Sequence, residues 1–177
     1  EDLDFGKWQD NPSLNNKDVD WPRIEKALKK IGDVKTDVID LNQVIFRVNG
    51  IKLEFYSNSL TNSKEIQTID PIGKIRPAVI LSLGAMKLEV MSRRNIFRDY
   101  YDIYSILQEG VSLEDIISRC GRYSKHRMKS KHILAILADH DRFRYEEDFQ
   151  LMEPRYDVSS REIGEFLRQN ITEEFGR

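Results

Sequence analysis

The period of the hydrophobic pattern changes at Pro77, and this change rules out a fold built from one kind of element. Before it, apolar residues recur every second position, as along a strand with one buried face. Glu1 to Phe5 alternates in this way, and Val34 to Ile39, Val44 to Val48 and Ile51 to Tyr56 read as further strands. Asn49-Gly50 between the last two predicts a tight hairpin, because a type I′ turn needs positive φ at both central residues. Along the returning strand Ile51, Leu53 and Phe55 share one face, and Lys52, Glu54 and Tyr56 the other. One early helix interrupts the strands: Asp20 caps it, Pro22 sits in its first turn, Gly32 closes it, and Ile24, Ala27, Leu28 and Ile31 form its buried stripe. Residues 6–16 and 57–64 read as loops, and residues 66–76 as irregular or short strand.

After Pro77 the pattern turns helical. Ala78 to Arg94 and Ile96 to Glu109 form two helices, with Gly84 allowing a close approach in the first and Gly110 ending the second. Ser112 with Asp115 approximates a capping box that opens a third helix. Residues 129–139 form a fourth, and Ser159 with Glu162 caps a last one running to about Phe175. The expected architecture is α/β (α+β): a mixed sheet with flanking helices over residues 1–77, then a helical lobe over residues 78–177. The 177 residues suffice for two such small lobes and no third domain.

The composition, 40% hydrophobic and 33% charged with a net charge of −2, is that of a soluble globular chain and names no partner. No apolar run nears the roughly 20 residues that span a bilayer, and no basic-then-apolar leader is present, so no membrane association is expected. The single cysteine, Cys120, cannot form an internal disulfide and fits a reducing compartment, which together points to the cytoplasm. It is expected to pack as a small apolar side chain. His126, His132 and His140 lack the spacing or cysteine set of a zinc site, and no Walker loop, GxSxG elbow or GxGxxG turn occurs.

Charge appears where packing would place apolar groups. The stretch Glu89 to Leu107, EVMSRRNIFRDYYDIYSIL, sets Arg93, Arg94, Arg98, Asp99 and Asp102 into an otherwise apolar helical frame. Just upstream, Lys87 lies among Leu83, Ala85, Met86, Leu88 and Val90, where an ammonium needs a partner such as a phosphate, or else snorkels to water along its stem. Asp99 and Asp102, three residues apart, are neighbours on one helical face, and Asp99 is a candidate partner of Arg93 or Arg94. At the other end of the chain, Asp2 and Asp4 point the same way from one strand. Such a pair attracts a divalent cation, since Mg²⁺ takes carboxylate oxygens together with phosphate and water, although acids on an exposed strand are also ordinary surface. Glu54 is either a third carboxylate from a neighbouring strand or a solvent-facing partner of Lys52.

The run Met86-Lys87-Leu88, then Arg93 or Arg94, then Arg98-Asp99-Tyr100-Tyr101-Asp102, resembles the signature of the AbiEii/AbiGii-type toxin nucleotidyltransferases, with Arg98 where a lysine is commoner. Asp2-Leu3-Asp4 at the chain start is similar to that family's Asp-x-Asp strand. The resemblance covers roughly residues 1–107 and implies an enzyme that moves a nucleoside monophosphate from an NTP to an acceptor. It implies metal ligands at Asp2, Asp4 and Glu54 for Mg²⁺ or Mn²⁺, phosphate contacts from Lys87, Arg93 and Arg94, and a later catalytic or structural acid at Asp102. Asp2, Asp4 and Lys87 are expected to face one cleft between the lobes, with Asp102 lining it. It further implies tRNA or another RNA as acceptor and a cognate antitoxin as partner. The family carries a Gly-Gly or Gly-Ser turn ahead of its acidic strand, and this chain opens within the strand, so such residues are expected to precede Glu1.

Between positions 119 and 132 the chain carries Arg119, Arg122, Lys125, Arg127, Lys129 and Lys131 with no acid, interleaved with Tyr123, His126 and His132. Such a run binds a phosphate backbone by counterion release, or is a solvated loop and helix start. The alternative to an enzyme is a non-catalytic module that keeps the fold and binds nucleic acid or a protein partner.

Overall fold

A computed structural model of the chain describes residues 2–8, 19–58, 62–147 and 149–176. The chain divides into two compact units, Glu1–Ser63 and Lys64–Arg177.

The described residues of the first unit form a four-stranded mixed sheet with one helix. Strands β1 (Asp2–Trp8), β2 (Val34–Ile39), β3 (Gln43–Val48) and β4 (Ile51–Asn58) lie in the order β1-β4-β3-β2, with β1 parallel to β4 and the other neighbours antiparallel. The β3–β4 turn is the expected one, with φ of 51° at Asn49 and 88° at Gly50. The first strand continues through Gly6 to Trp8, ending three residues later than its alternation suggested, because β4 offers a full-length partner from Lys52 to Asn58. Most of the loop expected at residues 6–16 lies outside the described residues.

Alternation sorts the sheet's two faces. Val44, Phe46, Val48 and Leu53 are buried on one face, with Phe5 and Phe55 stacked at 4.9 Å, and helix α1 (Trp21–Leu28) covers this face through Trp21, Ile24 and Leu28. Asp20 caps α1 as expected, accepting from the Arg23 N–H. The helix stops at Leu28, however, so Ile31 falls beyond the stripe and is exposed. The register partners Asp4 and Glu54 stand on the opposite face of the sheet from Leu53 and Phe55.

The second unit begins with a short arm in which Thr68 pairs with Ala78 and Ile72 with Ile75. Among the described residues five α-helices follow: α2 (Ile80–Met91), α3 (Phe97–Gln108), α4 (Leu113–Tyr123), α5 (Ser130–Ala138) and α6 (Ser160–Phe175). Their core holds Leu88, Met91, Phe97, Tyr100, Ile103, Ile116, Cys120, Ile133, Leu137 and Ile163, all buried. Burial pushes the Cys120 thiol up to about 12, with the Glu89 carboxylate adding to the rise, so this cysteine is a packing residue and no nucleophile at neutral pH. Gly84 does permit a close approach, but of a side chain: a Cβ there would come within 3.1 Å of Ile116 on α4.

The caps follow the sequence in one case and depart from it in the other. At α6 both hydrogen bonds of the Ser159–Glu162 box are present. At α4, Ser112 accepts from the Asp115 N–H, but the reciprocal acid comes from α6: Glu174 accepts from the N–H groups of Leu113 and Glu114 and from the Ser112 hydroxyl.

Candidate active site

A lysine on α2 and two aspartates on α3 form the most concentrated ionic cluster of the helical unit. Lys87 lies on α2 four residues before Met91 and one before Leu88, both in the core, and its side chain is only partly exposed. Its ammonium lies 2.9 Å from Asp99 Oδ1 and 2.7 Å from Asp102 Oδ2. The lysine is therefore neither a snorkelling cation nor one waiting for its first anion.

The two aspartates differ in surroundings. Asp99 is fully buried, and both of its oxygens are taken: Arg94 donates through Nε to Oδ2 at 2.6 Å and through Nη2 to Oδ1 at 2.8 Å, and Lys87 donates to Oδ1. This is the fork geometry that makes arginine a bidentate partner for carboxylate. Asp102 keeps 36% of its side-chain surface in solvent, and among the described residues Lys87 is its partner. Burial alone would raise the Asp99 carboxyl, but the hydrogen bonds and charges of Arg94 and Lys87 outweigh it and hold the group below the ordinary carboxylate value. Burial likewise pulls Lys87 down, and the Asp102 and Asp99 carboxylates overcome this, so the ammonium is held above its ordinary value.

Arg93 turns elsewhere. It pairs with Glu89 one turn back on α2, a buried carboxylate that also lies 3.5 Å from Arg127 Nη2. Glu89 did not figure among the candidate residues. Its signal was an acid in an apolar helix four positions before an arginine, the spacing of a helical ion pair. Arg98, the departure from the family's lysine, contacts Glu146 at 3.4 Å and the Met152 sulfur, and takes no part in the cluster.

In the sheet unit, the parallel register sets Asp4 of β1 directly beside Glu54 of β4, on the same face. Asp4 is exposed and Glu54 half-buried; Glu54 accepts from the Gln43 amide at 2.8 Å and lies 3.6 Å from the Lys52 ammonium. Both readings of Glu54 thus describe one geometry, a carboxylate next to Asp4 that also faces Lys52. The Asp2 side chain lies outside the described residues. Among the described residues no three His, Cys, Asp or Glu side chains group as a metal-holding set. Two carboxylates from adjacent strands are nevertheless a hard oxygen donor set of the kind Mg²⁺ takes when substrate phosphates and water complete its shell.

The basic run divides in two. Arg119 donates to the Glu65 carbonyl at 2.7 Å, Arg122 pairs with the Glu65 carboxylate at 2.9 Å, and Arg127 reaches Glu89 and the Ser124 carbonyl. Lys125, Lys129 and Lys131 are exposed, with His126 and His132 also at the surface.

The family model described as nucleotidyl transferase AbiEii toxin, Type IV TA system, matches residues 1–174, nearly the whole chain. Among curated proteins none matches. No helix formed by the described residues is long and apolar enough to cross a membrane.

Proposed function

Because the chain belongs to the AbiEii family of nucleotidyl transferase toxins of type IV toxin-antitoxin systems, with a nucleotide as substrate and a cognate antitoxin as partner, we propose a metal-dependent transfer of a nucleoside monophosphate from an NTP to an RNA, with tRNA the favoured acceptor. The observation that carries this reading is the Lys87 ammonium. It is held above its ordinary value, so it stays charged, and this partly exposed group is fixed between one buried and one part-exposed carboxylate. A cation so fixed binds and orients phosphate groups through charge-assisted hydrogen bonds. Arg94, half-exposed beyond its fork onto Asp99, adds a second positive group on the same buried carboxylate. Asp102, paired with the same ammonium, would be the acid that stands beside a phosphate bound there.

Asp2, Asp4 and Glu54 would hold the divalent cation, which supplies charge neutralisation at the phosphates when bound. The exposed lysines at positions 125, 129 and 131 would contact the acceptor's phosphate backbone, a sequence-independent contact suited to a polymer.

The test is incubation of the protein with each labelled NTP, Mg²⁺ or Mn²⁺ and total tRNA, beside Asp4→Ala and Lys87→Ala variants. Label should pass to RNA with the unaltered chain and fall by a hundredfold or more in both variants. Transfer that survives either substitution removes that residue from the site, and absence of transfer with every nucleotide and RNA tested overturns the reading.

A further inference from the structure

We propose that Asp102 occupies, on the Lys87 ammonium, the place that a phosphate of the nucleotide takes during reaction, and that the displaced carboxylate then accepts the proton of the acceptor hydroxyl. This rests on the transferase reading and gives Asp102 and Asp99 separate tasks.

The two contacts of Lys87 are nearly equal in length, 2.9 Å and 2.7 Å, but unequal in what holds the carboxylate. Asp99 is enclosed on α3 and shared between Lys87 and the Arg94 fork, so moving it would strand two cations. Asp102 is more than a third exposed, and among the described residues only Lys87 engages it. An ion pair with that much solvent contact is weakly held, and the carboxylate that leaves it is hydrated at once. Asp99 is thus a positioning residue that keeps the ammonium aimed, and Asp102 is the exchangeable occupant. A triphosphate or pyrophosphate group, with more negative charge than one carboxylate, competes for the ammonium on favourable terms.

The exchange unmasks a base only when substrate is present. While Asp102 is paired with Lys87, the ammonium takes up one of its oxygens. Once a phosphate takes the ammonium, the carboxylate is released beside the bound nucleotide. The acceptor O–H then gives its proton to Asp102 as its oxygen bonds to the α-phosphorus. The bond from that phosphorus to the oxygen bridging to the β-phosphate breaks, and pyrophosphate leaves with those electrons.

The signature is an affinity and a rate that move in opposite directions. Inorganic pyrophosphate serves as probe, titrated calorimetrically into the protein, its Asp102→Asn variant and its Lys87→Ala variant, with label transfer from NTP to total tRNA measured in parallel. Asp102→Asn keeps shape and removes the competing charge, so it should bind pyrophosphate at least threefold more tightly while transfer falls by about a hundredfold or more. Lys87→Ala should lose pyrophosphate binding. Unchanged or weaker binding by a folded Asp102→Asn variant, verified by circular dichroism, overturns the exchange, and tighter binding with transfer intact overturns the role as base. Tighter binding in a protein that transfers no nucleotide would uphold the exchange and sink the transferase reading instead.

Discussion

Asp99 shows how far a single residue's role depends on what surrounds it. In sequence it is one of two aspartates three residues apart and a candidate partner of Arg93 or Arg94; in the fold it is the buried centre of a four-residue ionic cluster. Removing it should be costly because two cations lose their shared anion. Breaking a buried pair costs about 3–5 kcal/mol, and since Lys87 and Arg94 both reach solvent we expect Asp99→Ala near the lower end, about 3 kcal/mol in urea unfolding. The pH dependence has a definite sign. The folded-state carboxyl lies below its ordinary value of 3.8, so its contribution is present above that pH and is lost as pH falls through the depressed folded value. Unfolding of the wild type and Asp99→Asn at pH 7 and at pH 3 to 2 should therefore show the gap between them narrowing in acid. A gap that stays constant from pH 7 to pH 2 would mean that Asp99 is not the ionised partner of Lys87 and Arg94.

At the level of elements, local signals set most boundaries and long-range contacts adjusted them. Helix α1 starts where Asp20 and Pro22 say it should, yet it ends before Ile31, and β1 outruns its own alternation because β4 supplies a partner strand. The α4 cap is the clearest case of a distant residue completing a local motif. Ser112 and Asp115 suggested a self-contained box, but the acid that satisfies the first N–H groups is Glu174, about sixty residues on. Glu174→Ala should leave those donors without their anion and lower thermal stability by about 1 kcal/mol, similar to the loss of a helix cap. Asp115→Ala, whose carboxylate does not take the reciprocal place in the cap, should cost measurably less in the same melting experiment. Equal losses in the two variants would show that the cap is local after all.

For the whole molecule, the distribution of charge matters more than its near-neutral sum. The basic run at positions 119–131 reads in sequence as one patch of six cations, but three of its arginines bind Glu65, Glu89 and nearby carbonyls, while three lysines stay at the surface. If Lys129 and Lys131 each neutralise one phosphate of a single-stranded acceptor, the double alanine variant should reduce the slope of log affinity against log salt by about 1.4. Fluorescence anisotropy with labelled RNA measures this, and an unchanged slope would place the RNA elsewhere.

Much of this protein was determined by local chemistry alone. The Asn-Gly turn, the alternating strands and the caps at Asp20 and Ser159 depend on backbone preference and on side chains a few residues apart, and these act before any tertiary contact forms. What only the tertiary structure decided are the pairings between distant residues. The parallel register set Asp4 beside Glu54, the packing of α2 on α3 gave Lys87 two carboxylates of unequal exposure, and burial turned Asp99 and Glu89 into anchors. The physical reason is that desolvation and ion pairing are properties of neighbours in space: a sequence shows which charges exist, and the fold determines which of them are withdrawn from water and which remain exchangeable.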